Sequence, residues 1–389
     1  MNTFAAVMTG KGMGAISTIQ VIGDSAQAVV KKIFTPAAAE PVKLKTGKIL
    51  LGTITDDNQT IDQVTIGCEQ PDSMTISCHG NPLIVSEIMQ LLGRHGVTLL
   101  STEQLMAKIT SANTISVEAK LAQAKAKTIE GTKIILNQIE AGLSKKAQNW
   151  LENINDLSLE KIRAEATEIL QRSETAKLII YGCTAVLTGP PNTGKSTLLN
   201  YLAGKQKAIV TDVKGTTRDW VTAQYRTESL FLELIDTAGL SEELQNFEDT
   251  IEATAQKKSI EILEQTDLIL FVLDSSQTNN QLDERIVERI ADKKVITVLN
   301  KCDLTAKFDS DKLPEILSST VQISAKGGTG IENLLEKIRQ ITGVANFDSK
   351  STVCFTERQK NLLEQLINAE SKQQASSVIT ELLNGQLRV

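Results

Sequence analysis

The chain has few aromatic residues, 3% of 389, which argues against base stacking on aromatic platforms as a principal mode of RNA contact. Its five cysteines (Cys68, Cys78, Cys183, Cys302, Cys354) show no C-x-x-C spacing, which excludes the common zinc and dithiol patterns. They read as reduced, mostly buried thiols. No apolar run approaches the roughly 18 residues that a membrane span needs. The N-terminal "MNTFAAVMTGKG" has neither a basic head nor a long apolar stretch, so the expected location is the cytoplasm. A net charge of −6 leaves no general attraction for nucleic acid, although a local basic patch remains compatible with it.

The hydrophobic content of 41% and charged content of 23% are those of a globular protein, and the length implies two or three domains. Residues 1–108 mix short alternating runs ("AISTIQVIG", "QVTIGC", "MTISC") with one helical stretch, which predicts a small α+β domain. Residues 109–178 turn Ala/Lys/Glu/Leu-rich. Leu121, Ala124, Thr128, Ile135 and Ile139 recur at helical spacings and predict a packing stripe. From 179 to 343 the apolar runs "CTAVLTG", "LFLELID", "LILFVLD", "VITVLN" and "TVQIS" each end at a polar or glycine motif, the pattern of a doubly wound α/β sheet. Residues 344–389 are helical again. The α/β unit is therefore expected to be inserted in a helical domain, with a small α+β domain before it.

Chemistry begins at "LTGPPNTGKSTLLN". The spacing G-x-x-x-x-G-K-S, Gly189 to Ser196, follows an apolar run and precedes a helix-prone one, the context a phosphate loop requires. The glycines let successive backbone N–H groups face a phosphate, and the helix that follows adds its positive end. Lys195 supplies charge to the outer phosphates, and the Ser196 hydroxyl is the expected Mg²⁺ ligand. The base is chosen by "NKCD", Asn300 to Asp303. A carboxylate at Asp303 accepts the N1–H and 2-amino protons of guanine, whereas adenine offers it an acceptor, a mismatch worth about 1–3 kcal/mol or more. "SAK", Ser324 to Lys326, follows the next strand and backs the base. "DTAG" places Asp236 near Mg²⁺ and the Gly239 N–H near the γ-phosphate, and "GTTRD" offers Thr217 as a second hydroxyl ligand. Both segments would be released when the γ-phosphate leaves, which makes them a switch. Leu240 follows "DTAG" where many GTPases carry a water-orienting Gln, and leucine cannot orient water. Asn192 offers an oxygen to a monovalent cation beside the phosphates.

These motifs, in this order, resemble the tRNA modification GTPase family called MnmE or TrmE. "GPPNTGKSTLLN", "AIVTDVKGTTRD", "DTAGL", "NKCD" and "SAK" carry the resemblance, and "TGKGMGAISTIQVIG" and "ISCHG" are similar to the family's N-terminal domain. The resemblance implies a K⁺-stimulated GTPase that dimerises through its N-terminal domain, binds formyl-tetrahydrofolate there, and works with an MnmG-type flavoprotein on the wobble uridine of tRNA. It implies GTP/GDP contacts at Asn192, Thr193, Gly194, Lys195, Ser196 and Thr197; at Thr211, Asp212, Val213, Gly215, Thr216 and Thr217; at Asp236, Thr237, Ala238 and Gly239; at Asn300, Lys301 and Asp303; and at Ser324, Ala325 and Lys326. It further implies Mg²⁺ at Ser196, Thr217 and Asp236, and K⁺ at Asn192, Thr211, Val213 and Thr216. Lys195 and Thr217 would be catalytic together with a water-orienting Glu. Counting back from "EQTDLILFVLD" gives Glu252, the preferred position, and counting forward from Asp236 gives Glu248.

The chain also departs from the family pattern. It ends "NGQLRV", with no cysteine after Cys354 where members usually carry a Cys-containing tail, so a shortened member is expected. Gln20 stands where the family often has Arg, and "EQPDSMT" precedes "ISCHG". Cys78 and His79 are neighbours on an expected strand and so face opposite ways, which opposes a nucleophile pair. A second reading is a regulatory GTP-dependent switch without tRNA-modifying activity.

Overall fold

The computed structural model describes residues 3–10, 12–37, 44–57, 59–109, 113–205, 221–236, 266–282, 287, 290 and 292–385. Two compact units result: Met1–Val117 with Asn384–Val389, and Glu118–Leu383.

In the first unit a seven-stranded sheet runs β3 (Phe34–Pro36), β4 (Lys48–Asp56), β5 (Gln59–Gln70), β6 (Ser73–His79), β2 (Ile16–Ile22), β1 (Phe4–Val7), β7 (Thr98–Leu99). The period-two alternation read from the sequence sets its core. Val64, Ile66 and Cys68 of β5 and Met74, Ile76 and Cys78 of β6 are buried with Ile19 and Val21. Helices α1 (Ala26–Ile33) and α2 (Pro82–Arg94) pack on them. Helix α3 (Thr102–Ile109) lies along β1, where the Thr102 hydroxyl donates to the Val7 carbonyl at 2.7 Å.

The second unit begins within α4 (Thr114–Gln123), at Glu118, and continues through α5 (Ile129–Glu140), α6 (Leu143–Glu152) and α7 (Leu159–Tyr181). The stripe expected across 121–139 is not one helix. The chain breaks before Thr128, whose side chain accepts from the Gly131 N–H at 2.9 Å and caps α5. Threonine's preference for this capping role over a helix interior explains the break, and Ala124 lies exposed in the turn. From α7 the chain passes through Gly182 (φ +92°), where a Cβ would come within 2.6 Å of the Phe231 ring, directly into β8 (Cys183–Thr188).

A six-stranded sheet follows in the order β13 (Thr320–Gln322), β12 (Val295–Asn300), β11 (Leu268–Asp274), β8, β10 (Phe231–Asp236), β9 (Val221–Arg226), and only β9 and β10 are antiparallel. The run "LILFVLD" is buried along its whole length because its two faces feed two cores. Leu268, Leu270 and Val272 pack with Leu198 and Leu202 of α8 (Lys195–Lys205), while Ile269, Phe271 and Leu273 pack with Ile290 and Leu317. The five apolar runs picked out in the sequence are β8, β10, β11, β12 and β13. The sixth strand, β9, was not anticipated, although "VTAQYR" alternates and buries Ala223 and Tyr225.

After α9 (Ile331–Ile341) the chain returns to the helices as α10 (Glu357–Ile367) and α11 (Lys372–Asn384). The two sequence-distant helical parts are joined at Glu118, buried on α4. Its oxygens accept from Arg358 Nε (2.9 Å) and Nη2 (2.8 Å), the Thr356 hydroxyl (2.9 Å) and Gln359 Nε2 (2.7 Å). Arg358 also donates to the Glu381 and Leu382 carbonyls. Truncating Arg358→Ala leaves the carboxylate buried without its counter-charge, so thermal unfolding is expected to show a loss of about 3 kcal/mol or more. Glu118→Gln, which removes the charge and keeps an acceptor, is expected to lose less.

Candidate nucleotide site

The strand ends place the phosphate loop at the C-terminal edge of β8, between β10 and β11, where parallel sheets present ligands. Gly189 takes φ +134°, and a Cβ there would lie 2.3 Å from the Val272 carbonyl oxygen. Gly194 takes φ +94° with a Cβ position 2.3 Å from Asn300 Nδ2, so both glycines are required by space as well as by torsion. Asn192, at φ +60°, turns the loop between them. Thr193 is buried and its hydroxyl donates to the Pro190 carbonyl at 3.0 Å.

Lys195 is buried, and its ammonium folds back onto the loop, donating to the carbonyls of Gly189 (3.0 Å) and Pro190 (2.8 Å). Burial pulls its pKa down and the nearby Asp236 charge opposes the shift. The Ser196 hydroxyl donates to Asp236 Oδ2 at 2.6 Å, and Asp236 ends β10 opposite Leu187 of β8. Two hard oxygen donors thus meet at the first turn of α8, the donor chemistry that suits Mg²⁺ with water completing its shell. Thr197 is exposed on the same turn. Among the described residues no group of three or more His, Cys, Asp or Glu is arranged to hold a metal.

Asn300 closes the other side. It is buried, its Nδ2 donates to the Thr193 carbonyl at 2.8 Å, and its Oδ1 accepts the Ala325 N–H at 2.9 Å. One side chain therefore ties the phosphate loop to the "SAK" loop. Lys301, at φ +64°, crosses above them, its ammonium donating to the Asn192 carbonyl (2.8 Å) and to Asp274 Oδ2 (2.7 Å). Asp274 also accepts from the Ser276 N–H (2.9 Å) and hydroxyl (2.7 Å). Burial raises the Asp274 pKa, but the Lys301 and Ser276 hydrogen bonds and the Lys301 charge outweigh it, so the carboxyl sits below its ordinary value. Asp303 is solvent-facing and also held low, first by the Ser324 hydroxyl and its own backbone N–H, then by Lys326 and Lys301. It stays an acceptor-only carboxylate at neutral pH.

The structure thus brings together Asn192, Thr193, Gly194, Lys195, Ser196, Thr197, Asp236, Asn300, Lys301, Asp303, Ser324, Ala325 and Lys326. Thr211, Asp212, Val213, Gly215, Thr216, Thr217, Thr237, Ala238, Gly239, Glu248 and Glu252 lie outside the described residues. Asp274 escaped the sequence reading. Its signal is positional, because it closes an apolar strand at the same edge as the loop. Asn300→Ala leaves the buried Thr193 carbonyl and Ala325 N–H without partners at about 1–3 kcal/mol each, so titration with a fluorescent GDP analogue is expected to show at least roughly tenfold weaker binding.

Residues 184–301 match the family model described as a 50S ribosome-binding GTPase, and residues 3–104 match that of the GTP-binding protein TrmE N-terminus. The tRNA modification GTPase MnmE of Lachnoclostridium phytofermentans is 30% identical over 422 residues, covering 98% of this chain and 90% of the relative. The MnmE of Enterococcus faecalis is 29% identical, with 99% and 89% covered, and that of Thermotoga maritima 28%, with 94% and 88% covered. A GTPase domain and a TrmE-type N-terminus in one chain, matched end to end, favour the tRNA-modification reading over a bare regulatory switch. Among the described residues no helix is long and apolar enough to cross a membrane. The chain belongs to the MnmE family of tRNA modification GTPases and is a GTP-hydrolysing enzyme involved in tRNA modification.

Proposed function

We propose that GTP hydrolysis here proceeds on the site built by Lys195, Ser196, Asp236 and Asn300, and that Asn192 makes it dependent on K⁺. The observation that carries the reading is the Ser196–Asp236 pair beside a buried lysine whose ammonium now rests on loop carbonyls. With GTP present, Lys195 exchanges those carbonyls for phosphate oxygens, a stronger charge-assisted partner. Ser196, Asp236 and Thr217 would hold Mg²⁺, which supplies neutralisation of the developing phosphate charge. The Asn192 carbonyl is taken by Lys301 while its residue stands at the exposed rim of the loop, which leaves the side chain for a cation. Thr211, Val213 and Thr216 would complete that K⁺ site. Glu252, or Glu248 in its place, orients the attacking water in the absence of a Gln after "DTAG".

In the same reading the chain comprises an N-terminal α+β domain (1–108), a helical domain in two parts (109–178 and 344–389) and an inserted GTPase domain (179–343). It acts in the cytoplasm as a homodimer formed through the N-terminal domain, on tRNA and with an MnmG-type flavoprotein. Formyl-tetrahydrofolate fits less well. Gln20 has both amide atoms engaged, Nε2 with the Ser73 hydroxyl at 3.0 Å and with Glu69, and Oε1 accepting from Thr75 at 2.9 Å. Position 20 thus carries an engaged amide and no guanidinium to meet a folate carboxylate, and we assign this chain no folate.

Two experiments test the reading. GTP hydrolysis at equal ionic strength is expected to be much faster in KCl than in NaCl, with the difference gone in Asn192→Ala and the rate itself lost in Glu252→Ala. A rate indifferent to the cation removes the K⁺ assignment, and loss in Glu248→Ala alone moves the water-orienting role there. Asp303→Asn replaces one acceptor by a donor, so binding is expected to weaken for GTP by at least roughly tenfold and to strengthen for xanthosine triphosphate, whose ring carries an oxygen at the 2-position.

A further inference from the structure

The first unit contains a pair of side chains that the GTP site does not use. His79 ends β6 with Ile16 of β2 as its cross-strand partner. Its Nδ1 lies 2.7 Å from Asp62 Oδ1, and its backbone N–H donates to Asp62 Oδ2 at 2.8 Å. Asp62 is only 7% exposed, whereas His79 is 66% exposed. A buried carboxylate is costly unless donors satisfy it, and here both of its oxygens are spent on one residue. With Nδ1–H given to Asp62, the neutral imidazole carries its lone pair on Nε2. A carboxylate in that position also stabilises the imidazolium formed when Nε2 takes a proton.

The adjacent Cys78 takes no part. It is buried on the opposite side of the strand, its thiol donates to the Ser17 carbonyl at 3.6 Å, and burial, then the Asp62 charge, pushes it up to about 11. Around His79 the chain is laced tightly. The Gly14 N–H donates to the Gly80 carbonyl at 2.9 Å and the Gly80 N–H to the Ala15 carbonyl at 3.2 Å. A Cβ on Gly80 would meet the Gly14 oxygen at 2.3 Å. That lacing brings Met13, 89% exposed, to the end of the sheet where Ile16, 65% exposed, pairs with His79. The open Ile16 side chain, cross-strand partner of His79, suits the face of a flat ring better than a phosphate.

We propose that His79, its tautomer fixed by Asp62, is the proton-accepting group of a second site that takes the flat ring of a tRNA base during modification. An N–H proton moves from the ring to Nε2, the electron pair of that bond stays on the ring nitrogen and its conjugated carbonyls, and the imidazolium is held against Asp62. The inference rests on the tRNA-modification role and not on the assignments at the GTP site.

The test uses Asp62→Asn and His79→Gln in the full chain. The asparagine keeps an oxygen for the His79 N–H but offers its amide N–H to Nδ1, which moves the imidazole proton to Nε2 and leaves no acceptor facing out. In cells whose only copy carries either variant, the modified nucleoside in tRNA is expected to fall to the level of a deletion strain. GTP hydrolysis and melting temperature of the purified variants stay at wild-type values. In wild-type protein labelled with ¹⁵N-histidine, an anticodon stem-loop is expected to shift the His79 Nε2 resonance, and the same stem-loop abasic at the modified position is not. Wild-type modification in Asp62→Asn, a parallel loss of GTP hydrolysis, or equal shifts with both stem-loops would each overturn the proposal.

Discussion

The amide of Asn300 is the interaction on which the nucleotide site depends. It is buried at the end of β12, and with one donor and one acceptor it fixes two loops that no strand pairing connects, the phosphate loop through Thr193 and the base loop through Ala325. Gly194 leaves the room for it, since a Cβ there would sit 2.3 Å from its nitrogen. The spacing between the two loops is therefore held by one side chain. Lys301, one residue on, adds a charged strap from Asp274 to the same loop. Lys195 and Ser196 can then be presented by a loop whose backbone takes positive φ at Gly189, Asn192 and Gly194.

The sheet beneath explains why such a strut holds. Strand β11 is apolar on both faces and is packed from both sides, so Asp274 and the Val272 carbonyl at its C-terminal end are carried by a rigid element. The helices of the same unit connect to this sheet covalently through α7, which runs through Gly182 into β8 and so into the loop. They are closed on themselves by the Glu118–Arg358 network, which joins segments 240 residues apart in sequence. Nucleotide chemistry at the strand ends and the helical scaffold thus share one continuous path of α7, β8 and the phosphate loop.

Much of this was legible in the sequence, and for a physical reason. Phosphate and guanine recognition rest on short local strings at strand ends, and buried parallel strands read as uninterrupted apolar runs. What was not legible depends on distance or on capping. Thr128 looks like one more residue on a helical stripe and instead starts a new helix, because its hydroxyl accepts the Gly131 N–H as an N-cap. Strand β9 alternates over only six residues, too few to stand out beside an antiparallel partner not yet known. Asp274 and Lys301 meet across two strands, and Asp62 meets His79 across 17 residues of an antiparallel sheet. No periodicity announces either pair. The separation of Cys78 from His79, by contrast, followed from strand geometry alone.

In the proposed function Asp303 receives the guanine ring, while Asn300 holds the phosphate loop and the base loop at one spacing. The most direct measurement is calorimetric binding of GTP, GDP and ATP to the full chain in MgCl₂. Tight binding of both guanine nucleotides, with ATP weaker by at least roughly a hundredfold, is the expected result. ATP binding within about threefold of GTP would contradict it, since a carboxylate set to receive two ring donors cannot accommodate adenine at so small a cost.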